Sequence, residues 1–233
     1  MKAFLGKWIY GISMKAVFYI FILSLVSCSF SPDNESFEGV ISYKISFTPK
    51  SDNEVYNNYQ KQKYGEKLNV YISRNGNFKR EFLSSGERGF DFFIYDASLN
   101  KGYTKWRNID TIYSSDAFKS GLIFINEKDL TSQEINGQTC RGYFISGIDS
   151  KGGQPVSLTY YYPEGREFLD PKLYEKYNDF FYNRVIEKMQ SPFYKLIMDL
   201  GTFTVTYEIE SIKSQKLDSN LFSLPKNIPR KID

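Results

Sequence analysis

The stretch Phe37-Glu38-Gly39-Val40-Ile41-Ser42-Tyr43-Lys44-Ile45-Ser46-Phe47 decides the fold class. Phe37, Ile41, Tyr43, Ile45 and Phe47 fall on one face of an extended chain, and Glu38, Ser42, Lys44 and Ser46 on the other. Side chains alternate across a strand, so this pattern predicts a strand with one buried and one wet face. Near the other end of the chain Phe203, Val205, Tyr207 and Ile209 alternate with Thr204, Thr206, Glu208 and Glu210 and predict a second such strand.

Between these two, short alternating runs follow one another with turn signals between them. Leu68 to Ser73 and Phe78 to Leu83 flank Asn75-Gly76, and Ser132 to Ile135 and Cys140 to Ile145 flank Asn136-Gly137. Asn-Gly between alternating runs signals a hairpin because both residues tolerate positive φ. Further strands are predicted at Phe90 to Tyr95, Tyr103 to Trp106, Thr111 to Ser114, Val156 to Tyr162 and Phe193 to Met198. Thr48 to Lys63 is polar and reads as a loop. Asp96 to Gly102 resembles the start of a calcium loop, but Arg107 stands where the closing carboxylate belongs, so a hairpin turn is expected. Hairpin succession argues for one large antiparallel sheet rather than βαβ units.

The period changes once. Asp170-Pro171 is a cap followed by a proline suited to a first helical position, and Leu173, Tyr177, Phe180, Phe181, Val185 and Met189 recur at helical spacing up to Ser191-Pro192. Lys172, Glu175, Lys176, Asp179, Arg184, Glu187 and Lys188 leave its other face wet, which predicts one helix lying across the sheet.

Upstream of the first strand, Met1 to Lys15 carries three lysines and Ala16 to Ser27 is apolar. This run is shorter than the ~20 residues that an ordinary spanning helix needs. Leu25-Val26-Ser27-Cys28 closes it and resembles the cleavage box of bacterial lipoprotein signal peptides at all four positions. That resemblance implies a signal peptide over residues 1–27, lipid on Cys28 and attachment to a membrane without a span. Two or three acyl chains anchor stably where a single one does not. Residues 28–36 then form a tether, and Ser29 beside the lipidated cysteine favours an outer-membrane address over the inner membrane. A single domain is expected over residues 37–225, followed by a loose basic tail over 226–233.

Composition narrows the chemistry. The 233 residues carry a formal net charge of +3, and the leader lysines account for all of it, leaving 27 basic and 27 acidic residues in the remainder. A neutral body provides no argument for nucleic acid. Histidine is absent, which excludes Ser-His-Asp and Cys-His catalysis and makes a catalytic zinc site a poor fit. No phosphate loop or nucleotide fingerprint occurs, so neither enzymatic activity nor a cofactor or metal is expected. With Cys28 lipidated, Cys140 has no intramolecular disulfide partner and reads as a buried thiol. Glu164, Glu167 and Asp170 could pair as acid and base, but a solvated turn leading into a helix cap accounts for them.

Three segments carry a family resemblance. Phe37-Glu38-Gly39-Val40-Ile41-Ser42-Tyr43, Ile135-Asn136-Gly137-Gln138-Thr139-Cys140-Arg141-Gly142-Tyr143 and Leu221-Phe222-Ser223-Leu224-Pro225 resemble the GLPGLI-like bacterial envelope proteins of unknown function. Those are similar in turn to the LolA/LolB lipoprotein-carrier superfamily. Gln138 departs from that pattern, and Pro192-Phe193-Tyr194-Lys195-Leu196-Ile197 stands in place of the signature. The resemblance implies an α+β, mainly β fold: a large curved antiparallel sheet, a LolA-like half-barrel covered by at least one helix and able to hold acyl chains. Tyr160, Tyr162, Tyr177, Phe180 and Phe181 would line such a ligand space, although ordinary core packing accounts for the same aromatics. The expected partners are a membrane, a hydrophobic ligand and, in the alternative of a filled core, an envelope protein.

Overall fold

The computed structural model describes residues 35–232; the expected signal peptide, Cys28 and most of the tether lie outside them. The described residues form one twelve-stranded sheet in the order β12-β6-β5-β4-β3-β2-β1-β11-β10-β9-β8-β7. It curves and does not close, so the α+β half-barrel expectation holds. The strands are β1 Gly39–Pro49, β2 Lys67–Ile72, β3 Phe78–Leu83, β4 Phe90–Asp96, β5 Lys101–Trp106, β6 Ile112–Asp116, β7 Leu122–Ile135, β8 Gln138–Asp149, β9 Pro155–Pro163, β10 Lys195–Asp199, β11 Phe203–Ser214 and β12 Arg230–Ile232. The two strands that the alternation marked most clearly, β1 and β11, pair side by side at the middle of the sheet. Their register shifts after Ser42, leaving Glu210 as an extra residue on β11.

Cross-strand partners share a face, so the registers define rows across the sheet. Ile45, Tyr207, Leu196, Tyr160 and Tyr143 make one inner row over β1, β11, β10, β9 and β8. Ile41, Val70, Arg80, Phe93 and Thr104 make another over β1 to β5. Most of the large apolar members of these rows are buried in one core. Each such side chain contributes about 1.5–3 kcal/mol before conformational entropy is set against it.

Among the described residues two helices accompany the sheet: α1 Glu54–Tyr64 and α2 Tyr182–Met189. Helix α1 occupies the stretch expected to be a loop. Asn53 caps it by accepting from the Tyr56 N–H, and its inward face buries only Gln60 and Tyr64, too little to leave an apolar stripe in the sequence.

The single helix expected after Asp170 is instead broken. Asp170 does cap, accepting from the Lys172 N–H, but the chain then makes a 3-10 turn over Pro171–Tyr174 and a second over Asp179–Phe181 before it enters α2. Phe180 and Phe181 stand at φ of 51° and 60°. These left-handed residues interrupt the helical path between Asp179 and Tyr182, so the rings on either side do not share one helical face. Tyr182 packs on Phe78 and Tyr177, while Phe181 lies over Gly147 and edge-on to Phe124. The segment thus bridges the inner face from β3 to β8.

Residues near the end of the chain take part in the sheet. Residues 230–232 pair in parallel with Ile112 to Ser114, and Leu224 and Ile228 cover a small outer-face cluster of Ile94, Tyr103 and Ile112. Among the described residues no helix is long and apolar enough to cross a membrane.

Candidate functional site

Strand β3 places one charge on the wrong face. Phe78, Arg80 and Phe82 point inward, while Lys79 and Glu81 point outward and lie 3.5 Å apart. The Arg80 guanidinium carbon lies 5.0 Å from the Phe78 ring centre, 5.6 Å from that of Phe93 and 5.8 Å from that of Tyr182. Tyr177 packs beside them, 4.5 Å from the Tyr95 ring and 5.3 Å from that of Phe78.

No described carboxylate comes within ion-pair distance of Arg80, and its side chain makes no hydrogen bond to a described residue. Asp179 is close enough for its charge to act on Arg80, and it accepts a long 3.5 Å hydrogen bond from the Tyr177 hydroxyl. Burial raises the Asp179 carboxyl above its ordinary range, and Arg80 only partly offsets that. Burial opposes the charge on Arg80, but a guanidinium is not deprotonated in proteins and stays charged.

Three tyrosines from different elements add hydroxyls within electrostatic reach of the same guanidinium: Tyr160 from β9, Tyr207 from β11 and Tyr182 from α2. None of these hydroxyls has a hydrogen-bond partner among the described residues. Burial raises all three phenols, so they stay protonated and able to donate. Tyr43, by contrast, donates to the Phe193 carbonyl at 3.0 Å.

Magnitudes show what this centre requires. Desolvating an ion costs several kcal/mol even after relaxation, less where surface remains accessible, as it does at Arg80. Each cation–π contact returns about 0.5–2 kcal/mol. The hydroxyls of Tyr160, Tyr182 and Tyr207 are not among the buried atoms left without a partner, so they keep accessible surface where water or a ligand can accept from them.

No family model matches the chain. No curated protein matches it either. Solved structures to which it is similar include the Mycobacterium tuberculosis lipoprotein LppX, at 10% identity and a TM-score of 0.38, covering 88% of this chain and 99% of that one. LprF from Mycobacterium bovis is similar at 10% identity and a TM-score of 0.35, covering 80% and 90%. An outer membrane lipoprotein-sorting protein domain from Vibrio parahaemolyticus is similar at 9% identity and a TM-score of 0.26, covering 82% and 92%. Likeness of this degree assigns no ligand, and the GLPGLI-like resemblance has no counterpart among these matches.

Of the residues expected to line a ligand space, the fold brings Tyr160 and Tyr177 to the Arg80 cluster. Phe180 is half-buried beside them in sequence, and Phe181 is packed over Gly147. Tyr162 sits apart on β9, paired across the sheet with Arg141 and influenced by Lys188 and Asp129. All but Phe180 are at most 4% exposed, so their rings belong to the core as it stands. Arg80 itself had a sequence signal: a cation at the centre of Phe78-Lys79-Arg80-Glu81-Phe82, on the apolar face of an alternating strand.

Two other features stand apart. Cys140 is fully buried with its thiol pushed up by burial and by Glu134. A cleft of about 320 Å³ is lined by Lys44, Gln133, Asn136, Lys195, Glu208 and Glu210. Glu208 is paired with Lys195 at 2.7 Å and Glu210 with Lys67 at 3.4 Å, and the mostly polar walls, which Ile135 and Ile209 interrupt, do not suit a hydrophobic ligand. Among the described residues no group of acidic or cysteine side chains is arranged to hold a metal ion.

Proposed function

We propose that this chain is a lipid-anchored envelope protein that binds a hydrophobic ligand such as an acyl chain against the inner face of its half-barrel. The observation that carries the reading is that face itself: an aromatic wall on several strands, bridged by the irregular 171–189 segment, with hydrogen-bonding capacity at its centre that no described residue uses. Short 3-10 turns and left-handed phenylalanines hold that bridge together by ring packing more than by a continuous helical ladder, so it can move aside at lower cost. Attachment through Cys28 and an outer-membrane address rest on Leu25 to Ser29. The reading assigns the protein no reaction.

The test is recovery of the delipidated domain from membranes, followed by native mass spectrometry and titration with a fluorescent fatty acid. Co-purified lipid or saturable uptake is expected; finding neither would overturn the proposal.

A second reading, docking on an envelope protein partner, is favoured by the sheet edge. β7 is the terminal strand, and near its start Ile123 is 61% and Ile125 54% exposed, with Phe118 just before it at 63%. An open strand edge beside apolar side chains can accept an added strand. A specific protein adduct to β7 on crosslinking in intact cells would favour this reading over the first.

A further inference from the structure

We infer that Arg80 is the anchor for the anionic head of an acyl ligand, a carboxylate or a phosphate ester, whose tail lies along the aromatic inner face. The inference rests on the hydrophobic-ligand reading above and specifies the ligand's head group. Arginine presents a rigid fork of five N–H donors that matches the paired oxygens of a carboxylate or phosphate. Here that fork is spent on ring faces, Phe78, Phe93 and Tyr182, and on no described acceptor. The Tyr182 ring lies 5.8 Å from the guanidinium carbon, and its hydroxyl, like those of Tyr160 and Tyr207 in the other inner row, is a donor without a described partner. Against these donors the only described carboxylate acting on Arg80 is Asp179, which lies beyond ion-pair distance.

The imbalance selects the ligand. A neutral hydrocarbon would leave every donor unmatched, and a cation would meet a guanidinium. A wholly polar anion would waste the apolar surface around the cluster, where Val70 and Phe93 flank Arg80 in its row and Leu196 flanks Tyr160 and Tyr207 in theirs. An amphiphile with an oxyanion head satisfies both parts. The head group can come from a free fatty acid or from an anionic phospholipid, and the experiment separates the two.

Native membranes containing the full chain are irradiated with one of three photoreactive probes sharing a single acyl chain: a fatty acid, the matching fatty alcohol and an anionic phospholipid. Adducts are then mapped to peptides by mass spectrometry, which separates inner-face labelling at Phe93 or Tyr182 from any lipid on Cys28. One of the two anions is expected to label these peptides roughly tenfold more efficiently than the alcohol, the gain from a charge-assisted pair, and the stronger anion identifies the source. Arg80→Gln should reduce anion labelling to the level of the alcohol, and Arg80→Lys, which keeps the charge but loses the fork, should retain an intermediate preference. Equal labelling by alcohol and anions in the wild-type protein overturns the anchor and leaves the hydrophobic-ligand reading standing. Absence of inner-face labelling by any probe overturns both. Where Arg80→Gln fails to accumulate, the wild-type ratio of anion to alcohol decides alone.

Discussion

Glu167 lies in the loop after β9 at a φ of 42°, and one of its carboxylate oxygens is buried with no hydrogen-bond partner. Burial pushes this carboxyl above its ordinary range, and Arg166 only partly opposes the shift. A carboxyl whose pKa is higher folded than unfolded binds more protons in the folded state between the two values, so stability falls as pH rises through that window. The cost is absent below the unfolded value and fully present above the folded one. Glu167→Gln keeps the shape and removes the ionisation, so the variant should match the wild type at acidic pH and exceed it at neutral pH. Urea midpoints measured across that range check this, and a wild-type advantage at neutral pH would refute it. Arg80 is the other side chain that breaks the local rule, and its charge on an apolar strand face was visible in the sequence. That Phe93 from β4 and Tyr182 from α2 pack their rings against it was not, because residues so distant in the chain carry no mutual signal.

Elements were legible where one face is buried and the other wet. β3 runs over the residues that alternation marks, and β1, β2, β9 and β11 differ from expectation only near their ends. β7 extends ten residues upstream of the expected Ser132, because an edge strand exposed along most of its length has no buried face to write into the sequence. Asp170 was read correctly as a cap, but the helical period after it overstated the length of the helix. Tertiary ring packing set that break, and Phe181 lies close against Gly147. A Cβ added at Gly147 would come within 2.7 Å of the Ile123 carbonyl oxygen on β7 and 2.9 Å of the Phe181 ring. Gly147→Ala should therefore destabilise the fold by about 1–3 kcal/mol through overpacking. Gly121→Ala, where nothing lies within 4 Å, should be close to neutral. Urea denaturation of both variants tests the pair, and equal midpoints would show that the 171–189 bridge is not seated on β8 in this way.

At the scale of the whole molecule, the proposed anchor and the body it carries are separable by one substitution. Cys28→Ala should abolish labelling by radioactive palmitate and shift the protein from the membrane fraction to the soluble one, whereas unchanged labelling would refute lipidation at that residue. The chain's end completes the other side of the body. Leu224 and Ile228 cover an outward-facing cluster on β4, β5 and β6, and β12 extends the sheet beside β6. A short basic segment without alternation offered no sign of that, since its pairing is supplied by the edge it meets.

By itself the sequence determined that the body of the protein is strand-rich and neutral, because alternation, turn residues and charge are local properties. Only the tertiary structure decided which strands are neighbours, where the bridging segment breaks, and that Arg80 meets the rings of Phe93 and Tyr182. Those outcomes depend on contacts between residues far apart in the chain, and such contacts exist only once the sheet has curved around them.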